Sequence, residues 1–203
     1  MLIKSFCLGH IQTNCYIVTD ETTLECVVID PGSESNTVLS YLEDNRLTCK
    51  YILLTHGHFD HTGAVNDIQK ATSAPLGMSK GEVRKSIAEM GLRFAPSKDT
   101  VFLKEGDTVT VGSLDFHVIE TPGHSQGGLT YRCGTALFTG DTLFKDSCGR
   151  TDLPGCDGEK MMASLKKLYE LPGDYEVYPG HMEATSLDRE RRFNYFMQSA
   201  VQG

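Results

Sequence analysis

The stretch YILLTHGHFDHTGAV, residues 51–65, decides the reading of this chain: His56, His58, Asp60 and His61 crowd into six positions directly after an apolar run. YILL suits a buried strand, and a polar cluster at the end of such a strand is held on a rigid support. Imidazole and carboxylate are good ligands for zinc or iron. His56 and His58 are two apart, so an extended backbone points both rings the same way. Asp60 and His61 are adjacent and point in different directions. The spacing reads as two ligand pairs for two neighbouring metals, with Gly57 allowing a tight turn between them. A solvated polar loop after a strand is the simpler alternative, and the rest of the chain must choose.

Three further places share this character. IETPGHS puts His124 after a strand and a Pro-Gly turn, LFTGDTLF puts Asp141 after a strand and a glycine, and VYPGHME puts His181 after a strand and another Pro-Gly. Taken singly, PGH is an ordinary turn and TGD an ordinary cap or Asx-turn. Together they repeat one phrase, apolar strand, glycine, ligand, which lets separate loops converge on one edge of the sheets. Five of the seven histidines fall in such contexts; His10 in a loop and His117 in an alternating strand are assigned no metal role.

Around these points the chain alternates between strand and helix patterns. MLIKSFCL, NCYIVTD and LECVVID read as an antiparallel start. Val38, Leu39 and Leu42 then recur at helical spacing behind Ser33 or Ser35 as N-cap, and Ala64, Val65, Ile68 and Ala71 mark a helix beginning just after His61. Residues 79–100 are polar and predict one helix followed by a surface loop. TVTVG, LDFHVIE, GLTYRC and TALFTGD predict four strands. DGEKMMASLKKLYELPG predicts an amphipathic helix with Met161, Met162, Leu165, Leu168 and Tyr169 on one side. YEVYPG is a last strand, and Phe193, Phe196, Met197 and Ala200 a final helix preceded by the capping pattern Thr185-x-x-Asp188.

With 203 residues, 39% hydrophobic and 23% charged, the chain suits one large domain with its own core. A net charge of −8 without a basic cluster argues against nucleic acid as a partner. No run approaches the roughly 20 apolar residues that span a bilayer, so no membrane association is expected. The seven cysteines form no CxxC pair, and free thiols suit a reducing cytoplasm. The oligomeric state stays open.

The ordered set His56, His58, Asp60, His61, His124, Asp141 and His181 resembles the HxHxDH pattern of the metallo-β-lactamase-fold hydrolase superfamily, from about Asp30 to the last helix. The resemblance implies an α/β fold, an αββα sandwich of two mainly antiparallel mixed sheets with helices on both outer faces, as one domain over residues 1–203. It implies that His56, His58 and His124 hold one metal, that Asp60, His61 and His181 hold the other, and that Asp141 bridges them. Two divalent cations about 3.5–4 Å apart share a hydroxide near neutral pH and clamp a hydrolytic displacement. Zinc is the first expectation, with iron or manganese as alternatives. Asp60 is the expected catalytic residue besides being a ligand.

Within that superfamily the chain is most similar to the glyoxalase II (hydroxyacylglutathione hydrolase) branch, which implies a small-molecule thioester or ester substrate. Cys148-Gly149-Arg150 resembles the segment that brings a cation to the glutathione carboxylate, making Arg150 the candidate substrate-binding residue; a structural arginine bonded to loop carbonyls is the alternative. Two departures stand out: Asp152 replaces an aromatic residue two after that cation, and Glu183 replaces a tyrosine two after the last ligand. Only 22 residues follow His181, so no additional C-terminal glutathione-binding helical domain is expected. CGRTD also resembles persulfide dioxygenases, which use one iron through the equivalents of His56, His124 and Asp141. Lactonases share the ligands too, and a non-catalytic metal-binding scaffold is the remaining class.

Overall fold

Strands buried on both faces build the layers, with successive side chains entering different cores. The structure is a computed structural model and describes residues 1–83 and 96–202. Four strands, β1 (Leu2–Leu8), β2 (Thr13–Thr19), β3 (Glu25–Ile29) and β4 (Thr48–Leu53), open the first sheet; helix α1 (Ser35–Asp44) carries the chain from β3 to β4. β1 to β3 pair antiparallel, whereas β4 returns parallel to β3. A parallel return needs a crossover, which α1 supplies. Helices α2 (Phe59–Thr62) and α3 (Val65–Thr72) lead to β5 (Leu76–Ser79), and β6 (Val101–Leu103) closes the row, both pairs parallel.

The second half gives β7 (Thr108–Val111), β8 (Leu114–Glu120), β9 (Leu129–Cys133) and β10 (Ala136–Gly140). A small hairpin follows, β11 (Leu143–Phe144) with β12 (Ser147–Cys148), and then helix α4 (Gly158–Tyr169). β13 (Glu176–Pro179) and β14 (Thr185–Ser186) precede helices α5 (Leu187–Phe193) and α6 (Tyr195–Gln202). The second sheet runs β14-β13-β10-β9-β8-β7, antiparallel except where β13 joins β10 in parallel.

In β2, Cys15 and Ile17 face α1 and α3, meeting Val38, Leu42, Val65 and Ile68, while Tyr16 and Val18 face the other sheet. Phe116, Tyr131 and Phe138 fill the space between the sheets. Leu137 and Val177 turn to the outside of the second sheet and pack on Met161, Leu165 and Leu168 of α4 and Met197 of α6. Helix, sheet, sheet, helix is therefore the layer order. Each fully buried large side chain contributes about 1.5–3 kcal/mol of transfer free energy relative to exposure. Two inter-sheet tyrosines do more than fill space. The Tyr131 hydroxyl donates to the Leu54 carbonyl (2.7 Å) and the Tyr16 hydroxyl to the Pro179 carbonyl (2.6 Å). Each buried phenol thus ties one sheet to the strand end of the other, just ahead of His56 and His181.

Several local expectations are corrected. The N-cap of α1 is Glu34, in a left-handed conformation with no side-chain cap bond; Ser35 opens the helix and its hydroxyl donates to Asp67 (2.9 Å). Ala71 is exposed, since the short α3 buries only Val65 and Ile68. Strands β5 and β6 went unpredicted because four and three residues are too few for a periodic signal. The helix expected within 79–100 falls largely outside the described residues. At the C-terminus Ser186, not Thr185, caps α5 by accepting from the Arg189 amide (3.2 Å). The final helical run breaks at Asn194, whose side-chain oxygen accepts from the Phe196 amide (3.0 Å) to start α6. That break leaves Phe193 and Phe196 exposed, and only Met197 and Ala200 enter the core. No helix among the described residues is long and apolar enough to cross a membrane.

Candidate metal centre

The site lies where strands end. β3 and β4 run parallel, as do β10 and β13, so within each pair the carboxyl ends sit side by side. Asp30 follows β3, His56 follows β4, Asp141 follows β10 and His181 follows β13. Crevices outside the carboxyl ends of such strands are where open α/β sheets bind ligands. His124 arrives after β8, and backbone bonds stitch the ends together: the Gly180 amide donates to the Gly140 carbonyl (2.9 Å) and the Leu129 amide to the Thr55 carbonyl (2.7 Å).

All seven residues expected as ligands are brought together. His56, His58 and His124 place one ligating atom each within 4.8 Å of one another, and so do Asp60, His61 and His181. Asp141 stands between the groups, with Oδ2 3.3 Å from His124 Nε2 and 3.5 Å from His181 Nε2. Asp60 Oδ2 lies 3.2 Å from His181 Nε2. His58 keeps extended backbone before α2 begins, which sets its ring 4.7 Å from that of His56.

Outer partners aim the rings. Thr55 Oγ1 lies 3.0 Å from His56 Nδ1, Asp30 Oδ2 2.9 Å from His61 Nδ1, and the Arg150 carbonyl oxygen 2.9 Å from His124 Nδ1. Engaging Nδ1 leaves Nε2 to face the site, as metal-binding histidines require. Asp30 also lies within reach of His56 and His61 as a ligand group, but its oxygens are spent: Oδ1 accepts from the Thr55 amide (2.7 Å) and Oδ2 from the Thr55 hydroxyl (2.5 Å) and faces His61. It is placed to support the candidate ligands His56 and His61. His56 Nε2, His124 Nε2 and Asp141 Oδ1 are buried without a hydrogen-bond partner, although Asp141 Oδ1 is 3.4 Å from His61 Nε2. Each unpaired buried polar atom costs about 1–3 kcal/mol. Orphaned nitrogen and oxygen donors are relieved by a divalent cation, and His56 and His124 already belong to one of the close three-residue groups, so the residues fit a metal.

Glycine makes the convergence possible. A Cβ on Gly180 would stand 2.1 Å from Asp141 Oδ1 and 2.7 Å from His61 Cε1. Gly140 has φ +50, and its Cβ would meet Thr55 Oγ1 at 2.3 Å.

Charge is divided across the site. Burial, then the neighbouring His61, holds His56 well below the usual histidine value; burial and His124 lower His58 to about 4. Burial would lower His61 as well, but the carboxylates of Asp141 and Asp30 keep it well above its usual value. For Asp141 burial opposes ionisation and His61 prevails, and for Asp60 burial is overcome by the bond from His181 and the charge of His61; both carboxyls lie below the ordinary range. His56 and His58 are thus neutral and ready to ligate, while His61 must release a proton to do so.

Supports outside the expected ligand set were not named in advance. Glu82, 3% exposed in the turn Lys80–Val83, accepts from the Gly57 amide (2.9 Å) and the Gly127 amide (2.7 Å), joining the His56–His58 loop to the His124 loop. Thr13 donates to Asp60 Oδ2 (3.1 Å). Asp30 alone had a signal, an acid ending an apolar strand before Pro-Gly. Arg150 lies on the rim of an open cleft of about 400 Å³ whose floor holds His58, Asp60, His124, Asp141 and His181 and whose walls include Ile11, Phe59, Phe144 and Leu153. Its guanidinium is held by Asp152. His117, by contrast, sits on β8 and faces Thr108 (3.0 Å), away from the site.

An αββα sandwich with two adjoining His/Asp groups at its strand ends defines a metal-binding member of an enzymatic class. The chain belongs to the metallo-beta-lactamase superfamily, whose family model matches residues 8–181. It is 32% identical over 200 residues to hydroxyacylglutathione hydrolase GloC of Haemophilus influenzae, covering 93% of this chain and 94% of that protein. Among solved structures it is similar to the BLEG-1 B3 metallo-beta-lactamase (34% identity, 97% and 99% covered, TM-score 0.85). It is also similar to TTHA1623 in a di-iron-bound form (36% identity, 95% and 99% covered, TM-score 0.82).

Proposed function

We propose that this protein is a hydrolase of thioesters and related activated esters that works with two divalent metal ions, zinc first among them. The observation that carries the reading is the pair of three-residue groups with Asp141 between them on the floor of an open cleft. The likeness to a hydroxyacylglutathione hydrolase supports the substrate class. His56, His58 and His124 would hold one ion, Asp60, His61 and His181 the other, and Asp141 both. When bound, the ions supply a hydroxide nucleophile at neutral pH and polarise the substrate carbonyl. The chain's own residues do the rest. Asp60, fixed by Thr13, presents a carboxylate oxygen that can take a proton's hydrogen bond and orient the nucleophile. Ile11, Phe59, Phe144 and Leu153 pack an apolar acyl group and keep bulk water off the carbonyl. A thiolate departs readily, so no strong general acid is needed.

A zinc-loaded preparation assayed without oxygen against a panel of thioesters tests this. Turnover lost in chelator and restored by zinc is expected; a metal-replete protein inert to the whole panel overturns it. A second reading, persulfide oxidation at one iron, draws on the unpaired nitrogens of His56 and His124 together with Asp141, whose Oδ2 lies 3.3 Å from His124 Nε2: two histidines and one carboxylate are donors suited to non-haem iron. Iron-dependent oxygen uptake with glutathione persulfide, undiminished by His61→Ala, would favour it over hydrolysis.

A further inference from the structure

Resting on the hydrolase reading, the geometry points to Asp152 as a specificity-determining residue that withdraws Arg150 from substrate and makes this a hydrolase of thioesters uncharged at the cleft rim. Arg150 is the one lysine or arginine among the described residues lining the cleft. Its backbone is fixed, because its carbonyl oxygen faces His124 Nδ1 at 2.9 Å. Its fork is already filled: Nε donates to Asp152 Oδ1 and Nη2 to Asp152 Oδ2, both at 2.7 Å. This side-on, two-bond arrangement is the one a substrate carboxylate would otherwise adopt.

A carboxylate two residues away reaches the guanidinium without loss of translational freedom, so a substrate carboxylate must displace it before it can pair with Arg150. The next cation along the hairpin is treated alike, since Lys145 donates to Glu183. With both cations neutralised, what remains to bind substrate beyond its carbonyl is the apolar wall of Ile11, Phe59, Phe144 and Leu153. The Arg150 and Asp152 side chains are 61% and 69% exposed, and ion pairs so exposed contribute little to folding. Replacing Asp152 should therefore change selectivity and leave the fold in place.

The test compares two thioesters with the same acyl group, an N-acetylcysteamine thioester without charge and a glutathione thioester with carboxylates. Zinc-loaded wild type, Asp152→Asn and the double variant Arg150→Met/Asp152→Asn are assayed, with thermal midpoints as the check on folding. Wild type should favour the neutral thioester in kcat/KM. Asp152→Asn should raise the glutathione-to-neutral ratio by about two- to fivefold through KM, the range spanned by ion pairs this exposed and the signature of gained uniform binding, and the double variant should lose that gain. A ratio unmoved in Asp152→Asn, or a gain that survives loss of Arg150, overturns the inference while leaving the hydrolase reading intact. Wild type that favours the glutathione thioester overturns it as well. Metal-replete wild type that hydrolyses neither compound overturns the hydrolase reading and this inference with it.

Discussion

Glu82→Gln is the substitution whose consequence can be worked furthest from the structure. The carboxylate is 3% exposed and accepts one backbone N–H through each oxygen, from Gly57 at 2.9 Å and Gly127 at 2.7 Å. Hydrogen bonds to a charged acceptor contribute about 1.5–3 kcal/mol each. Glutamine keeps one carbonyl oxygen and turns an NH2 toward the other amide, stranding a buried donor at about 1–3 kcal/mol. Rotation offers no escape, since flipping the amide only exchanges which backbone N–H the NH2 faces. The net loss is about 3 kcal/mol. At about 2–4 °C per kcal/mol for a chain of this size, the midpoint of metal-free protein should fall by about 6–12 °C. The second effect is on the metal. Gly57 lies between His56 and His58, and Gly127 lies three residues after His124, so the clasp spaces the three-imidazole group. Outer partners of metal ligands are typically worth about 10–100-fold in affinity. Scanning calorimetry in chelator, followed by zinc titration against a chromophoric competitor, reads both. A midpoint within about 2 °C of wild type would refute the bond accounting. A lowered midpoint with unchanged zinc affinity would refute the claim that the clasp positions the histidines.

Thr13→Val removes the hydroxyl that holds Asp60 Oδ2 and should lower kcat by about 10–100-fold with zinc content unchanged; an unaltered kcat would show that Asp60 needs no such hold. Asp60→Asn should cost more in kcat than Thr13→Val while the three-histidine group keeps its ion, checked by metal analysis alongside kinetics; near-full activity with both ions bound would end the role given to Asp60. Metal-free stability should peak near pH 6.5, because the site holds shifts of both signs. His56 and His58 are depressed, so the unfolded chain binds more protons and stability falls as pH drops from 6.5 toward about 4. His61 and His181 are raised, so their contribution is complete below 6.5 and is lost as pH rises through their folded values. Thermal midpoints in chelator across pH 4–9 that rise without a maximum would contradict this assignment. Because His61 must lose its proton to ligate, zinc binding near neutral pH should release protons, seen as a calorimetric heat that changes with the ionisation enthalpy of the buffer; a buffer-independent heat would place His61 outside the coordination.

What the chain disclosed of itself follows from where its constraints are local. The ligand phrases were readable because each packs strand, glycine and donor into a few residues, and the glycine is enforced at contact: at Gly180 any side chain would strike Asp141 and His61. The αββα layers were not derivable from strand pattern alone; they came with the family, and the alternation of Cys15 and Ile17 against Tyr16 and Val18 acquires its meaning only once both neighbours of the first sheet are in place. Glu82 was hidden because nothing in SKGEV distinguishes a solvated glutamate from one buried against two loops 25 and 45 residues away. Asn194 was hidden because a helical run gives no sign that its middle residue will cap a second helix. Asp152 is the instructive middle case. Its spacing from Arg150 is local and visible, yet two opposite charges at that separation usually mean a solvated pair. What gives the pair a function is its place on the rim of a cleft whose other described walls are apolar, and that place is fixed by the bond that the Arg150 carbonyl accepts from Nδ1 of His124, a residue 26 positions earlier in the chain. Supports and selectivity are properties of contacts between distant segments, so a single sequence names the candidate ligands of this site more readily than the residues that aim them or bear on what they act upon.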